Sequence, residues 1–451
     1  MRLTGARRGD AIALMSLNLF ISAGEASGEH YGALLVAALN RQLAAAGQTA
    51  RFFGMGGQRM AEAGLERVVR SEDMAVMGIT EVLRHLPRIY REFRKLKQSI
   101  HACRPDVAVL IDFPDIHFKL AKELHRLGVP VIFFVSPQLW AWKKHRIKLV
   151  RKYIDKMLVI FPFEEQFYRE NGVEAEFVGH PLAQLPLPSI SREEYAQQAS
   201  LLHQDKWNYG PGPGVITKGT ESINGRIQYE LDPRQEWIAL LPGSRMGEII
   251  KNLRGMVEAA ALLGNKYEYI VPLAPTLTER QIRFIQYELG DNLLPEDPPR
   301  ITFVHDACAA LYHARASVVA SGTATVEAAL VGNPFVVVYR VSPITYAIAR
   351  RVVTVPHVAM VNLIGGKRVV PELIQNDFTA ANIVQQLERL LPDGVPRQSM
   401  IEELKAIRGL LNTRLPDSSL ESDGAIERVA AITLAQLGVA SPARAQIAEV
   451  S

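Results

Sequence analysis

Cysteine is nearly absent from this sequence. Its two cysteines, Cys103 and Cys308, lie far apart in 451 residues and match no zinc or redox spacing. A disulfide-stapled domain is excluded, and a reducing compartment fits. Long apolar runs are missing too: no stretch reaches the ~18 residues that a membrane-spanning helix needs. Any meeting with lipid must therefore come from the side. Charge of one sign is scarce in net terms, with Lys plus Arg at 51 against Asp plus Glu at 47 and a net charge of +4. That balance makes no demand for nucleic acid, although it leaves room for local basic patches. No metal constellation, internal repeat or GxGxxG dinucleotide fingerprint is found.

What is present reads as a globular chain, 48% apolar and 22% charged. Its length exceeds one ordinary core, so two domains are expected. Short apolar runs at 17–22, 107–111, 131–135, 157–161, 237–241, 269–271, 317–320 and 335–339 alternate with segments of helical period. Runs without polar alternation predict strands buried on both faces, hence parallel sheets built from βαβ units. The pattern breaks between about Pro186 and Arg234, where Pro186, Pro188, Pro211, Pro213 and several glycines gather. This is loop or linker chemistry, and 205–233 is longer than a linker needs, so part of it is expected to be disordered. Arg2, Arg7 and Arg8 before the apolar stretch 11–23 imitate a signal peptide. That stretch runs straight into a Gly-rich turn and a helix, as a first buried strand would, and residues before Met15 read as an extension or a misassigned start. The expected architecture is α/β. A Rossmann-like domain at 17–185, a linker and insertion at 186–234, a second Rossmann-like domain at 235–379 and C-terminal helices at 380–437 follow one another. Ligand then belongs in the cleft at the carboxyl ends of the strands.

Several strand ends carry chemistry. The run 237–241 meets Pro242-Gly243-Ser244-Arg245 and then a helix start. Free backbone N–H groups and the helix dipole make an anion site there, and Arg245 adds a planar cation suited to phosphate. An ordinary turn with a solvated arginine is the competing reading. The run 317–320 meets Ser321-Gly322-Thr323-Ala324, with Glu327 placed in the first helical turn and able to accept from ribose hydroxyls. Taken alone, Glu327 only complements the dipole. Two such turns in one half-chain favour a nucleotide diphosphate.

In the first half, Gly24-Glu25-Ala26-Ser27-Gly28-Glu29-His30 follows the first strand. Glu25, Ser27 and Glu29 suit sugar or phosphate hydrogen bonds, while Ser27 equally suits a helix cap. Asp112, in Asp112-Phe113-Pro114-Asp115, ends another strand, where a general base on a hydroxyl would sit; Asp115 reads as the cap. Trp140 and Trp142, followed by Lys143, Lys144, His145 and Arg146, read either as a platform for sugar, acyl chain or phosphate or as packing beside a solvated basic face. Lys148, Arg151 and Lys152 extend the charge toward an anion-facing surface. The segment 76–97 interleaves apolar residues with arginines and lysines. It reads as an amphipathic helix packed on the sheet or lying on an anionic bilayer. Gly54-Met55-Gly56-Gly57 reads as a turn, and His180 as a structural histidine.

The stretches GEASGE, AVMGITEVL, IDFPD, VSPQLWAW, FPFEEQFY, VGHP, LLPGSR and ASGTATVEAAL occur in that order. From about Leu19 to Leu437 the chain thereby resembles the lipid-A-disaccharide synthase family, glycosyltransferases of the two-Rossmann GT-B type (family 19). The resemblance implies an inverting transfer of 2,3-diacylglucosamine from UDP to the 6-hydroxyl of 2,3-diacylglucosamine 1-phosphate. The product is a β-1,6 disaccharide 1-phosphate plus UDP. It implies no cofactor and no metal, a peripheral place on the anionic cytoplasmic face of the bacterial inner membrane, and dimers by exchange of C-terminal elements. Residue by residue, Asp112 matches the base, Arg245 the arginine at the leaving diphosphate and Glu327 the nucleotide-binding glutamate. Gly243, Ser244, Ser321, Gly322, Thr323 and Ala324, from the two turns read above, complete the expected nucleotide site. Asn362 joins Glu25, Ser27 and Glu29 as a sugar contact in the cleft. Val76, Met77, Ile79, Val82, Leu83 and Leu86 match the membrane patch. Glu29 stands where the family usually has Asp, and the 205–233 insertion is unusual. The alternatives are another GT-B enzyme using UDP-N-acetylglucosamine, either a polyprenyl-linked transferase or an epimerase, and a non-catalytic nucleotide-sugar-binding protein.

Overall fold

The structure, a computed structural model, describes residues 17–74, 79–142, 144–206, 231–274, 277–292, 299–353, 355–412 and 424–439, with backbone alone along helical stretches that include 79–86. Two parallel sheets organise them. The first contains β1 (Leu17–Ala23), β2 (Ala50–Gly56), β3 (Leu65–Arg70), β4 (Val107–Ile111), β5 (Val131–Phe134), β6 (Lys156–Val159) and β7 (Ala175–Phe177). Their order is β3-β2-β1-β4-β5-β6-β7. The second contains β8 (Trp237–Leu241), β9 (Glu268–Pro272), β10 (Ile301–Val304), β11 (Ala316–Ala320), β12 (Phe335–Tyr339) and β13 (Glu372–Ile374), in the order β10-β9-β8-β11-β12-β13. Every residue of β4, β5, β8, β9 and β11 is buried, as strands covered by helices on both faces require.

The order reverses direction at β1/β4 in one sheet and at β8/β11 in the other. At such a switch point the two connecting helices diverge and leave a crevice beyond the carboxyl ends. Register fixes what emerges there. Ala23 pairs with Ile111, so Gly24-Glu25 and Asp112 leave the sheet side by side. Val319 pairs with Leu241, so the Gly243 and Gly322 turns do the same.

Three expectations need correction. Residues 54–56 are the end of β2 rather than a turn. Gly54 is required because a Cβ there would lie 2.1 Å from the Ile21 carbonyl oxygen of the neighbouring strand. The stretch 186–234 is not all loop, since it holds the helix Arg192–Lys206. A capping box starts that helix: the Glu194 amide donates to Ser191 Oγ at 3.1 Å, and the Ser191 amide to Glu194 Oε2 at 3.0 Å. Asp115 is not a cap either, because the helix Pro114–Arg126 begins before it, and its carboxylate pairs with Arg146. Much of the insertion, 207–230, falls outside the described residues.

The Arg192 guanidinium, 3.7 Å from the Trp237 ring centroid, donates to the carbonyls of Pro233, Gln235 and His313 and ties its helix to the second lobe. The C-terminal segment is helical at Ala380–Leu390, Val395–Leu411 and Ala425–Gln436. The last of these returns to the first lobe of the same chain. Glu427 accepts from Arg41 and Gln42, and Arg428 pairs with Glu176 at 2.8 Å.

Candidate active site at the facing strand ends

In the second lobe β8 breaks sharply at Gly243, whose φ of +121° favours glycine and whose Cα faces Glu248 too closely for a Cβ. Asn252, buried in the helix Met246–Leu263, donates to the Pro242 carbonyl at 3.0 Å and pins the turn. Arg245 is the N-cap residue, so its side chain leaves the helix start toward the first lobe. There it meets Glu25 Oε2 at 2.8 Å, while Glu248 holds its other arm at 3.3 Å. The Arg245 and Glu25 side chains keep 53% and 38% of their exposure, so this inter-lobe pair contributes only ~0–1 kcal/mol and a diphosphate can displace it.

The companion turn, Ser321-Gly322, opens the helix Thr323–Val331. Gly322, Thr323 and Ser244 are exposed, whereas Ser321 and Ala324 are partly buried. Thr325 rather than Thr323 closes the turn, through Oγ1 to the Gly322 carbonyl at 2.7 Å. Glu327 is not in the first helical turn. It is the fifth residue of the helix, one turn deeper, where burial and then Asp306 push its carboxyl above the ordinary range.

In the first lobe Glu25 caps the helix Ala26–Ala45 by backbone position only, which leaves its carboxylate for Arg245. Ser27 lies inside that helix and is not its cap. Glu29 turns away from a sugar role. Its Oε1 accepts from the Arg59 amide at 2.8 Å at the start of the short helix Gln58–Glu62.

Asp112 sits just past β4 with φ +51°, followed by Phe113 at +50°. Two successive left-handed residues with side chains cost ~1–2 kcal/mol each and mark a turn fixed from outside. Burial, and then the neighbouring Glu25 carboxylate, raise the Asp112 carboxyl to about 6; the Phe113 amide and Arg245 oppose that rise. The ring of Phe113 fills the space over Gly24, where a Cβ would come within 2.3 Å of it.

The structure thus brings Glu25, Asp112 and Arg245 together from three turns and two lobes. It does not bring Asn362 to them. Asn362 is fully buried, with Nδ2 donating to Val370 O and Glu372 Oε1 and Oδ1 accepting from the Val369 and Val370 amides. All its bonds are internal, so it braces Glu372, which in turn holds the amides of Val358 and Ala359. Trp140 is likewise structural: it is buried, donates to Glu164 at 3.1 Å and packs edge-on against Phe163. Trp142, Lys144, His145, Lys148, Arg151 and Lys152 are exposed. His180 is buried against Tyr31 and Phe161, held neutral by burial.

Of the membrane-patch residues, Val76 and Met77 lie outside the described residues. Ile79, Val82, Leu83 and Leu86 fall in the backbone-only start of the helix Ile79–Cys103. Reading the sequence also missed Tyr31 and His117. Tyr31 is buried on the first helix, its phenol raised by burial and then by Glu327 and Asp112, carboxylates of both lobes. His117 touches the Asp112 backbone. Neither lies in a turn motif, and only a helical-wheel count from the strand ends would have pointed to them.

The family model described as lipid-A-disaccharide synthetase matches residues 19–207 and 214–416. A lipid-A-disaccharide synthase of Acidobacterium capsulatum is 56% identical over 408 residues, which cover 89% of this chain and 93% of that protein. The chain belongs to this family. Its members are glycosyltransferases of lipid A biosynthesis, and the two facing Rossmann-like sheets are the GT-B fold. The kitacinnamycin glycosyltransferase shares that fold at a TM-score of 0.55 and 15% identity, covering 94% of this chain and 99% of its own. So does a putative UDP-N-acetylglucosamine 2-epimerase from Listeria monocytogenes, at 0.54 and 13%, covering 95% and 98%. Transferases and an epimerase therefore share these sheets, and it is membership of the family that separates this chain from the epimerase reading. Among the described residues no group of three or more His, Cys, Asp or Glu is placed to hold a metal ion. No helix described is long and apolar enough to cross a membrane.

Proposed function

We propose that this family member condenses UDP-2,3-diacylglucosamine with 2,3-diacylglucosamine 1-phosphate, giving the β-1,6 disaccharide 1-phosphate and UDP. The carrying observation is the meeting of Asp112 and Arg245, from opposite lobes, around Glu25. Asp112 takes the proton of the acceptor 6-hydroxyl as that oxygen attacks the anomeric carbon from the face opposite UDP, which inverts the centre. The bond from carbon to the diphosphate oxygen breaks as the new one forms. Arg245 and the amides at Gly243-Ser244 and Gly322-Thr323-Ala324 meet the charge that grows on the diphosphate. Their density of positive partial charge supports a reaction without cofactor or metal. Glu327 is the ribose partner one turn below.

On this reading the enzyme works peripherally at the cytoplasmic face of the inner membrane. The exposed basic face at Lys144, His145, Lys148 and Lys152 supports attraction to an anionic surface. A homodimer by exchange of the last helix would re-form the Arg41–Glu427 and Glu176–Arg428 pairs between copies. The test is transfer in detergent micelles, with UDP release and disaccharide followed by mass spectrometry. Asp112→Asn should abolish turnover while UDP still binds. Near-normal turnover would remove Asp112 as base. Soluble UDP-N-acetylglucosamine without lipid should give no product, and its epimerisation would return the chain to the rival class.

A further inference from the structure

We propose that His117 is a positioning residue for the transfer: clamped between Ser22 and the Asp112 carbonyl, it sets the backbone that aims the Asp112 carboxylate. The inference rests on the reading of Asp112 as base. It starts from the two left-handed residues, Asp112 and Phe113: a local bond from the Phe113 amide to its own carboxyl eases the conformation for Asp112, but nothing in the chemistry of Phe113 favours it.

His117 is fully buried in the helix Pro114–Arg126. Its Nδ1 lies 2.6 Å from the Asp112 carbonyl oxygen, and its Nε2 lies 2.8 Å from Ser22 Oγ. A carbonyl oxygen only accepts, so Nδ1 carries the proton. Burial holds the imidazole neutral, drawing it down to about 4, so Nε2 is the lone-pair nitrogen and takes its hydrogen bond from the serine hydroxyl. Both ring nitrogens are thereby committed in one orientation. Ser22 is rigid in turn, being buried in β1 and paired with Leu110 of β4.

The ring also packs edge-on against Phe113 and Phe133, and Phe113 closes over Gly24 at the start of the Glu25 turn. Strand, ring and turn are therefore locked to each other directly beneath the base. The far side of Asp112 is held by its own amide on the Phe134 carbonyl at 3.0 Å. The peptide after Asp112 is held at both ends, its Phe113 amide on the Asp112 carboxyl and its carbonyl on His117, so the His117 bond helps set the direction in which that carboxyl is held. A misplacement of about 1 Å at a reacting group costs on the order of a hundredfold in rate, so this bond should be read in kcat.

Amide substitutions separate the two ring contacts. In His117→Asn the side-chain N–H stands near the place of Nδ1 and can still donate to the Asp112 carbonyl. In His117→Gln the amide stands near the place of Nε2, keeping Ser22 and losing Asp112. His117→Leu loses both. The proposal expects His117→Asn to stay within about threefold of wild type in kcat, and His117→Gln and His117→Leu to fall about ten- to a hundredfold. UDP affinity and donor KM should be unchanged in all three, and the acid limb of kcat/KM should shift in the Gln variant because the Asp112 surroundings change. Folding is checked by circular dichroism and UDP binding. If the Leu variant does not fold, the Asn and Gln pair decides. A Gln variant as fast as the Asn variant, or a loss confined to KM, overturns the proposal. Failure of the base reading looks different: Asp112→Asn itself turns over, whatever His117 does.

Discussion

The pH dependence of transfer gives the sharpest test of the site. As the proposed base, Asp112 works only when ionised, and its surroundings move it from 3.8 to about 6. The value of kcat/KM should fall about tenfold in all between pH 7 and pH 5, because the ionised fraction falls from about 0.9 to about 0.1, and should approach a tenfold loss per unit only below that. The profile of kcat/KM reports the free enzyme, the state described here. Unfolding does not imitate the effect through this residue. A carboxyl raised in the fold binds its proton more tightly there, so acid stabilises the fold at this position while stopping the chemistry. The substrate does imitate it, since a sugar 1-phosphate takes up its second proton near pH ~6. Glu25→Gln separates the two. Removing the Glu25 charge lowers Asp112, and it also releases Arg245, whose field acts in the same direction. The enzyme limb should move to lower pH while the substrate limb stays. The assay is UDP release in mixed micelles at limiting acceptor between pH 5 and 8, with circular dichroism at each pH. A limb that does not move in Glu25→Gln would refute the assignment of that limb to Asp112.

Two further outcomes follow from buried and capping groups. Burial raises Glu164 to about 8, against the pull of Trp140 and the Phe161 amide. It should therefore be protonated in the folded enzyme at neutral pH, and stability should fall by up to ~1.4 kcal/mol per unit as pH rises from 4.5 toward 8. Glu164→Gln should flatten chemical denaturation midpoints measured between pH 6.5 and 8.5, above the range of Asp112; an unchanged slope would assign the pH dependence elsewhere. Ser191→Ala breaks the capping box of the helix Arg192–Lys206 and should lower stability by ~0.5–2 kcal/mol in urea titration, leaving kcat alone.

The fold was legible where strands are central and hidden where they are marginal. The apolar runs at 107–111, 237–241 and 335–339 coincide with β4, β8 and β12, and the others lie within a residue or two of their strands. All four edge strands, β3, β7, β10 and β13, escaped that reading, along with β2. An edge strand has one neighbour and a wet flank, so β3 reads Leu-Glu-Arg-Val-Val-Arg and carries no continuous apolar run. The helix Arg192–Lys206 was hidden by its prolines and glycines on either side, although Ser191-Arg192-Glu193-Glu194 was a legible capping box.

The site divides along a similar line. Residues at strand ends were found because backbone chemistry announces them: a glycine turn, a carboxylate after an apolar run, an arginine before a helix. Residues whose role depends on what faces them were misjudged in both directions. Asn362 and Glu29 have the right chemistry for a sugar but use it on nearby backbone amides, buried ones for Asn362 and a helix start for Glu29. His117 and Tyr31 stand inside ordinary helical sequence, yet His117 bonds the Asp112 carbonyl and the Tyr31 phenol feels the Asp112 charge. A polar residue's type limits the bonds it can make, whereas its neighbours decide whether any are left for a ligand. Here the carboxylate of Glu25 is the instructive case. Its only described partner is an arginine from the other lobe, so on the proposed reading it becomes available when the diphosphate takes that arginine. Loss of the partner leaves Glu25 as an uncompensated like charge beside Asp112, which makes the base stronger at the moment the donor is in place.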